Sequence, residues 1–314
     1  MSDSPGMRQR GKEQIEALIQ ASNAKESLEE DLTAALQNSA GYLHRNGSYD
    51  EAIELYRSVL DMRPNYLIAQ INMGRAFFAK NMHEEGVRTL IHATAIAPGS
   101  ETAWKTLGDM YWEMGDYDKA ETSYHEVLSI NPTNGPALQN LAGIYFDRGE
   151  FQEALSLYQL LVSREANQSN LYNLGVVYQQ MGDFGPAETA FERAREIGSE
   201  NAEILMRLAE VCYSGRNFSR AIQIYQEIIK ADSTNAIAYS NLGALWIQEK
   251  HPKEAVRVFE KAARILPADQ DLKTRVAYAY ESAGQGKNAL SIYHRILETD
   301  PGNQVAQQRI NLNP

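Results

Sequence analysis

Eight blocks of almost equal length follow one another in this chain, and that periodicity restricts its fold more than any single motif. The blocks begin at residues 33, 67, 101, 135, 168, 202, 236 and 270; six of the seven intervals are 34 residues and one is 33. Leu107-Gly108-Asp109-Met110-Tyr111, Leu174-Gly175-Val176-Val177-Tyr178 and Leu242-Gly243-Ala244-Leu245-Trp246 are copies of one stretch. A period of this size marks an array in which each unit is one supersecondary element packed on its neighbours. Domain-size arithmetic therefore does not bound the 314 residues.

The columns of the block say what the unit is. Its eighth residue is always small: Ala40, Gly74, Gly108, Ala142, Gly175, Ala209, Gly243 and Ala277. The twentieth is alanine in all but one block, where Gly86 replaces it. The twenty-fourth is aromatic in all but one: Tyr56, Tyr124, Tyr158, Phe191, Tyr225, Phe259 and Tyr293. The fourth, seventh, eighth and eleventh residues form one helical stripe, as Leu141, Ala142 and Tyr145 illustrate. The spacing predicts two helices per block, brought close by the small residues, with the aromatic ring filling the space beside them. Gly47, Gly115, Gly149, Gly182 and Gly284 fall between the helices, where a left-handed C-cap is needed. Pro64, Pro98, Pro132, Pro267 and Pro301 stop the second helix.

The period, with Trp104, Leu107, Gly108 and Tyr111 followed by Ala120 and Pro132, resembles the tetratricopeptide repeat (TPR). The resemblance covers residues 33–303. It implies an all-α fold, an α-solenoid: a right-handed superhelix of eight TPR helix-turn-helix repeats, with a concave groove that binds proteins or peptides. The repeats are expected at 33–66, 67–100, 101–134, 135–167, 168–201, 202–235, 236–269 and 270–303. Residues 1–32 are expected to form a flexible segment and capping helix, and 304–314 a short C-terminal cap. The 135–167 repeat is one residue short, and its loop around Ser163–Ser169 is expected to alter the superhelical pitch. Pro252 stiffens one turn, and Cys212 fills an aromatic core slot as a buried structural thiol.

At the N-terminus, residues 12–24 carry Ile15, Leu18 and Ile19 on one helical face. Ser27 with Glu30 forms a capping-box pattern before Leu28, Leu32 and Leu36. One reading makes this region a cap on the first hairpin. The other lets the 12–24 helix dock in a groove, its own or a neighbour's, so that the chain self-associates.

Opposite the core stripe of each first helix lie the second, sixth, ninth and thirteenth residues. The sixth is asparagine in five repeats: Asn38, Asn72, Asn140, Asn173 and Asn241. A carboxamide both donates and accepts, so such a column can hold the backbone of an extended peptide. It is similar to the asparagine ladder in the repeats of O-linked N-acetylglucosamine transferases. The competing reading is that these amides bond to adjacent helices. Thr106, Arg207 and Arg275 break the column, and Arg75, Lys105 and Arg207 bring charge to the groove, so the expected peptide-binding set is Asn38, Asn72, Arg75, Lys105, Asn140, Asn173, Arg207 and Asn241. Trp112, Phe78, Phe146 and Tyr172 either add aromatic contact there or pack against a neighbouring hairpin. Paired Lys and Asn of a two-carboxylate clamp are missing.

Thirty basic against 41 acidic residues give a net charge of −11. That argues against nucleic acid as a partner. The sequence holds no apolar run long enough for a membrane span and opens without a signal-peptide pattern. A single cysteine fits a reducing compartment, so a cytoplasmic location is expected. The histidines lack metal-ligand spacing, Gly284-Gln285-Gly286-Lys287 lacks the phosphate-loop spacing, and no nucleophile elbow occurs. No catalytic residue, metal or cofactor is expected. The expected function is a non-enzymatic scaffold or adaptor that holds an extended peptide or helix of a partner protein. An oligomeric structural scaffold and the repeat module of a glycosyltransferase-like enzyme are the alternatives.

Overall fold

The computed structural model describes residues 27–198 and 202–312, and within them every regular element is helical. The chain divides into two compact units between Ile144 and Tyr145. The first unit holds α1 (residues 27–45), α2 (Tyr49–Met62), α3 (Leu67–Ala79), α4 (His83–Ile96), α5 (Glu101–Glu113), α6 (Tyr117–Ile130) and the start of α7 (Gly135–Asp147). The second holds the end of α7 and α8 (Phe151–Arg164), α9 (Gln168–Met181), α10 (Phe184–Ile197), α11 (Ala202–Ser214) and α12 (Phe218–Ala231). It continues with α13 (Ala236–Gln248), α14 (Pro252–Ile265), α15 (Gln270–Ser282), α16 (Gly286–Thr299) and α17 (Gln304–Leu312). Consecutive helices pack in pairs, as TPR hairpins do.

The small and aromatic columns meet inside each hairpin. All eight residues of the eighth column and all eight of the twentieth are buried. A Cβ placed on Gly108 would lie 2.8 Å from the Tyr124 ring, and one on Gly175 2.8 Å from Phe191. The ring occupies the volume that a larger residue would need, which is why the column stays small. Where Leu90 stands in place of a ring, Gly74 and Gly86 draw the two backbones together instead: a Cβ on Gly86 would come within 2.9 Å of the Gly74 carbonyl oxygen. In the second unit Ala209, Cys212, Ala221 and Tyr225 share one buried cluster with Leu208 and Leu242. Burial raises the Cys212 thiol pKa to about 12, with the Glu188 carboxylate adding to the effect. The thiol is therefore an inert filler.

The turn inside every hairpin uses the left-handed region at the same place. Gly47, Gly115, Gly149, Gly182 and Gly284 take φ between 74° and 82°. In the other three hairpins Asn81, Arg216 and Lys250 adopt φ of 62–63°. Asparagine tolerates this region, whereas arginine and lysine adopt it at a steric cost.

Between hairpins the chain turns through a short polar loop. Side-chain oxygens of Ser100, Asn134, Asn167, Asn235, Asp269 and Asn303 accept the backbone N–H three residues on, capping the next helix. Residues before the loop prolines are extended, such as Ala97 at φ −132°. Glu165 at φ −144° and Asp232 at φ −131° have the same shape without a following proline. Packing sets this bend and proline only stiffens it. The residue missing from the 135–167 block is lost from the loop between α8 and α9.

The proposed segment at 12–24 lies outside the described residues. The helix over 27–45 runs without a break from the leucine-rich segment into the first hairpin, with Leu28 and Leu32 exposed. At the other end α17 lays Ala306, fully buried, against Tyr293 and Ile296.

Candidate peptide-binding face

The exposed faces of the first helices carry the residues singled out in the sequence, and they are not equally free. Asn38 is exposed on α1 and Asn72 half-buried on α3. The Arg75 guanidinium donates to Thr106 Oγ1 at 2.9 Å. Lys105 Nζ donates to Asp109 Oδ2 at 2.6 Å. Asn140 Nδ2 donates to Asp109 Oδ1 at 3.1 Å and to the Tyr124 hydroxyl at 2.9 Å. That hydroxyl in turn donates to Asp109 Oδ1 at 2.9 Å. Lys105 and Asn140, on different helices, are thus tied to one carboxylate. In the second unit Asn173 is half-buried, and no hydrogen bond of its side chain is seen among the described residues. Asn241 Nδ2 donates to the Tyr225 hydroxyl at 3.3 Å. Arg207 reaches Glu210 at 3.5 Å and sits beside Tyr172, whose hydroxyl donates to Glu203 at 2.6 Å.

Asn140 and Asn241 therefore use their amide hydrogens on buried phenols, the helix-bonding alternative for the column. A tyrosine–asparagine pattern runs across the repeats, although the hydrogen bond is formed at Asn140 and Asn241 and is not seen for Asn72 or Asn173 among the described residues. Tyr56, Tyr124, Tyr158 and Tyr225 are followed in the next repeat by Asn72, Asn140, Asn173 and Asn241. Leu90, Phe191 and Phe259 lack a hydroxyl and are followed by Thr106, Arg207 and Arg275. Tyr293 is the exception: its hydroxyl faces Glu281, which Arg309 pairs with at 3.2 Å.

Burial raises the phenol pKa of Tyr158, Tyr225 and Tyr293 to about 12. For Tyr124 burial and the adjoining Asp109 carboxylate push it higher still. An unfolded phenol ionises near pH ~10. Its raised folded pKa means the stability it contributes is complete below that pH and is lost as pH climbs from 10 towards 12. Denaturation midpoints should fall across this window, with tyrosinate absorbance of the buried rings appearing together with loss of helical circular dichroism. Full ionisation at pH ~10 with helicity intact would contradict the assignment.

The aromatic residues of the twelfth column are held by their own hairpins. Phe78 packs on His83, Trp112 on Tyr117, Phe146 on Phe151 and Tyr213 on Phe218, with ring centroids 4.4–5.7 Å apart. Trp112 also reaches Gly143 on the next hairpin, where a Cβ would meet its ring at 3.2 Å. Both members of each ring pair were readable as positions five residues apart.

Two clefts open on the first-helix face of the second unit. One, of about 440 Å³, is lined by Gln179 of α9, Glu210 and Tyr213 of α11, and Asn241 and Ala244 of α13. The other, of about 320 Å³, lies between α13, α15 and α17 and shares Ala244 with the first. Asn241 is the one member of the sequence-derived set that lines either cleft. No three His, Cys, Asp or Glu side chains converge as metal ligands among the described residues.

Comparison with known proteins agrees with this geometry. Models of the tetratricopeptide repeat match residues 43–108, 111–175, 172–236 and 247–310. The chain belongs to the tetratricopeptide repeat family. It is similar to the protein CTR9 homolog of Arabidopsis thaliana, 23% identical over 273 residues, covering 81% of this chain and 24% of that protein. The chain thus spans about a quarter of that relative's length. Among solved structures, the C-terminal part of a TPR repeat-containing protein from Cytophaga hutchinsonii superposes with a TM-score of 0.65. It is 18% identical and covers 76% of this chain and 98% of that one. YrrB, described as a TPR protein with an unusual peptide-binding site, gives a TM-score of 0.53 at 16% identity over 59% of this chain and 96% of that one. As a TPR chain this is a repeat scaffold of the protein-interaction kind. Among the described residues no helix is long and apolar enough to cross a membrane.

Proposed function

We propose that this chain is a non-catalytic cytoplasmic adaptor that holds an extended segment of a partner protein along its first-helix face. The observation that carries the reading is the pair of clefts that share Ala244 as a lining residue and between them are lined from α9, α11, α13, α15 and α17. Their walls combine amides with half-exposed aromatic rings such as Tyr213. That mixture suits a peptide: the amides take its backbone and the rings take its side chains. The asparagine column contributes to the clefts through Asn241.

Peptides selected from a random display library on the full-length chain provide the probe. Asn241→Ala is expected to weaken a selected peptide about three- to tenfold, the loss of one hydrogen bond. Tyr213→Ala should weaken it at least tenfold if the ring anchors a side chain, about 1.4 kcal/mol or more. Fluorescence anisotropy reads both. Unchanged affinity in both variants, or a library that enriches nothing, would remove the reading.

A further inference from the structure

The cleft between α13, α15 and α17 has a composition unlike the rest of the face. Its floor is apolar: Phe259 and Tyr293, the ring residues of two hairpins, with Ala244 and Ile247 above them. Tyr278 and Val305 form its walls and are 43% and 48% exposed, although both are apolar side chains beside a hollow of about 320 Å³. The rim carries two guanidiniums. Arg309 is committed, paired with Glu281 at 3.2 Å and lying over the Tyr278 ring at 5.7 Å. Arg275 lines the same hollow, is exposed, and forms no ion pair among the described residues. Asp271, one turn earlier on α15, forms no ion pair with it among the described residues. An exposed guanidinium without an ion pair among the described residues thus stands beside an apolar hollow.

Resting on the adaptor reading above, we propose that this cleft is the anchor subsite of the face. It takes a bulky aliphatic or aromatic side chain of the partner segment, while Arg275 pairs with an aspartate or glutamate within two residues of that anchor. The volume suits one large side chain. The Arg309–Tyr278 stack braces the wall before anything binds, so little order is lost there on binding. One free guanidinium with its neighbour already paired favours a side-chain carboxylate over a chain terminus, which calls for several donors at once. Charge at the rim governs specificity and association rate more than raw affinity, so the acidic residue selects the partner while the apolar anchor holds it.

The test uses the full-length chain and a random heptapeptide phage library, with enriched sequences resynthesised carrying fluorescein. Enriched peptides are expected to share a large apolar residue within two positions of an acid. Arg275→Glu should weaken them at least tenfold, and changing the peptide's acid to lysine should restore binding to that variant. Tyr278→Ala should weaken them independently of salt, whereas the Arg275 effect should shrink as salt rises. Arg275 is exposed, so helical circular dichroism of the Arg275→Glu chain should match wild type. Enriched peptides without an acid, or ones indifferent to Arg275→Glu and Tyr278→Ala, would overturn the proposal. If those same peptides still respond to Asn241→Ala or Tyr213→Ala, the adaptor reading survives and only the subsite falls. If the library enriches nothing, both fall.

Discussion

Gly243→Val is expected to destabilise the second unit by about 3 kcal/mol, the upper part of the range for overpacking a core. A Cβ at this position would stand 2.7–2.8 Å from three atoms of the Phe259 ring. Phe259 is itself buried against Ala255 and Val276, so the ring can yield only by repacking its cluster or by moving into the cleft it borders. The alanine variant isolates the cause. Ala209 and Ala277 occupy the equivalent place beside Tyr225 and Tyr293 in clusters where all four are buried. The hairpin can therefore accommodate one methyl, and replacing helical glycine with alanine returns up to about 1 kcal/mol of propensity. Gly243→Ala should stay within about 1 kcal/mol of wild type, while valine, with two further methyls, should not. Urea denaturation followed by circular dichroism measures both. Hydrogen exchange should show the lost protection concentrated in α13 and α14, because a repeat array couples each unit mainly to its neighbours. A valine variant as stable as the alanine one would mean that the small-residue column does not set helix approach.

The same column explains why so much of the fold could be read from sequence. A residue that must be small at a fixed interval is visible without knowing what it touches. So are the five glycines of the hairpin turns, whose φ values all lie in the left-handed region. Asn81, Arg216 and Lys250 occupy that region too but carry no marker, because packing of the flanking helices imposes the turn and the residue tolerates it. The face was harder. Asn140 and Asn72 look alike as members of a column, yet one is bonded to Tyr124 and Asp109 while Asn72 shows no side-chain bond among the described residues. The difference lies in a residue of the preceding repeat, so reading each column by itself hides it. Arg275 stood outside the expected binding set, and its place beside a hollow emerges only when α13, α15 and α17 are packed.

Asp109→Ala is expected to cost about 2–3 kcal/mol, although the side chain lies on an exposed face of α5. The reason is what it satisfies. Tyr124 is fully buried, and its hydroxyl donates to Asp109 Oδ1 at 2.9 Å. Asn140 donates to the same oxygen. Removing the carboxylate leaves a buried donor with no acceptor, the expensive way to break a hydrogen bond. The Lys105 pair adds little, since both partners are one-third exposed and screened. Tyr124→Phe removes the buried donor itself, leaves Asn140 with Asp109 as its acceptor, and should cost only about 1 kcal/mol. In the Tyr124→Phe background Asp109→Ala should then be cheaper by about 1–2 kcal/mol, and a double-mutant cycle from urea denaturation measures that difference. Additive costs would show that the three side chains stand next to one another without acting as a unit. A positive coupling has a consequence for binding. Lys105 and Asn140 would be held in place by a core tyrosine before any partner arrives, so engaging them would sacrifice little side-chain entropy. The part of the face around Asp109 would then be rigid because its polar groups are rooted in the core.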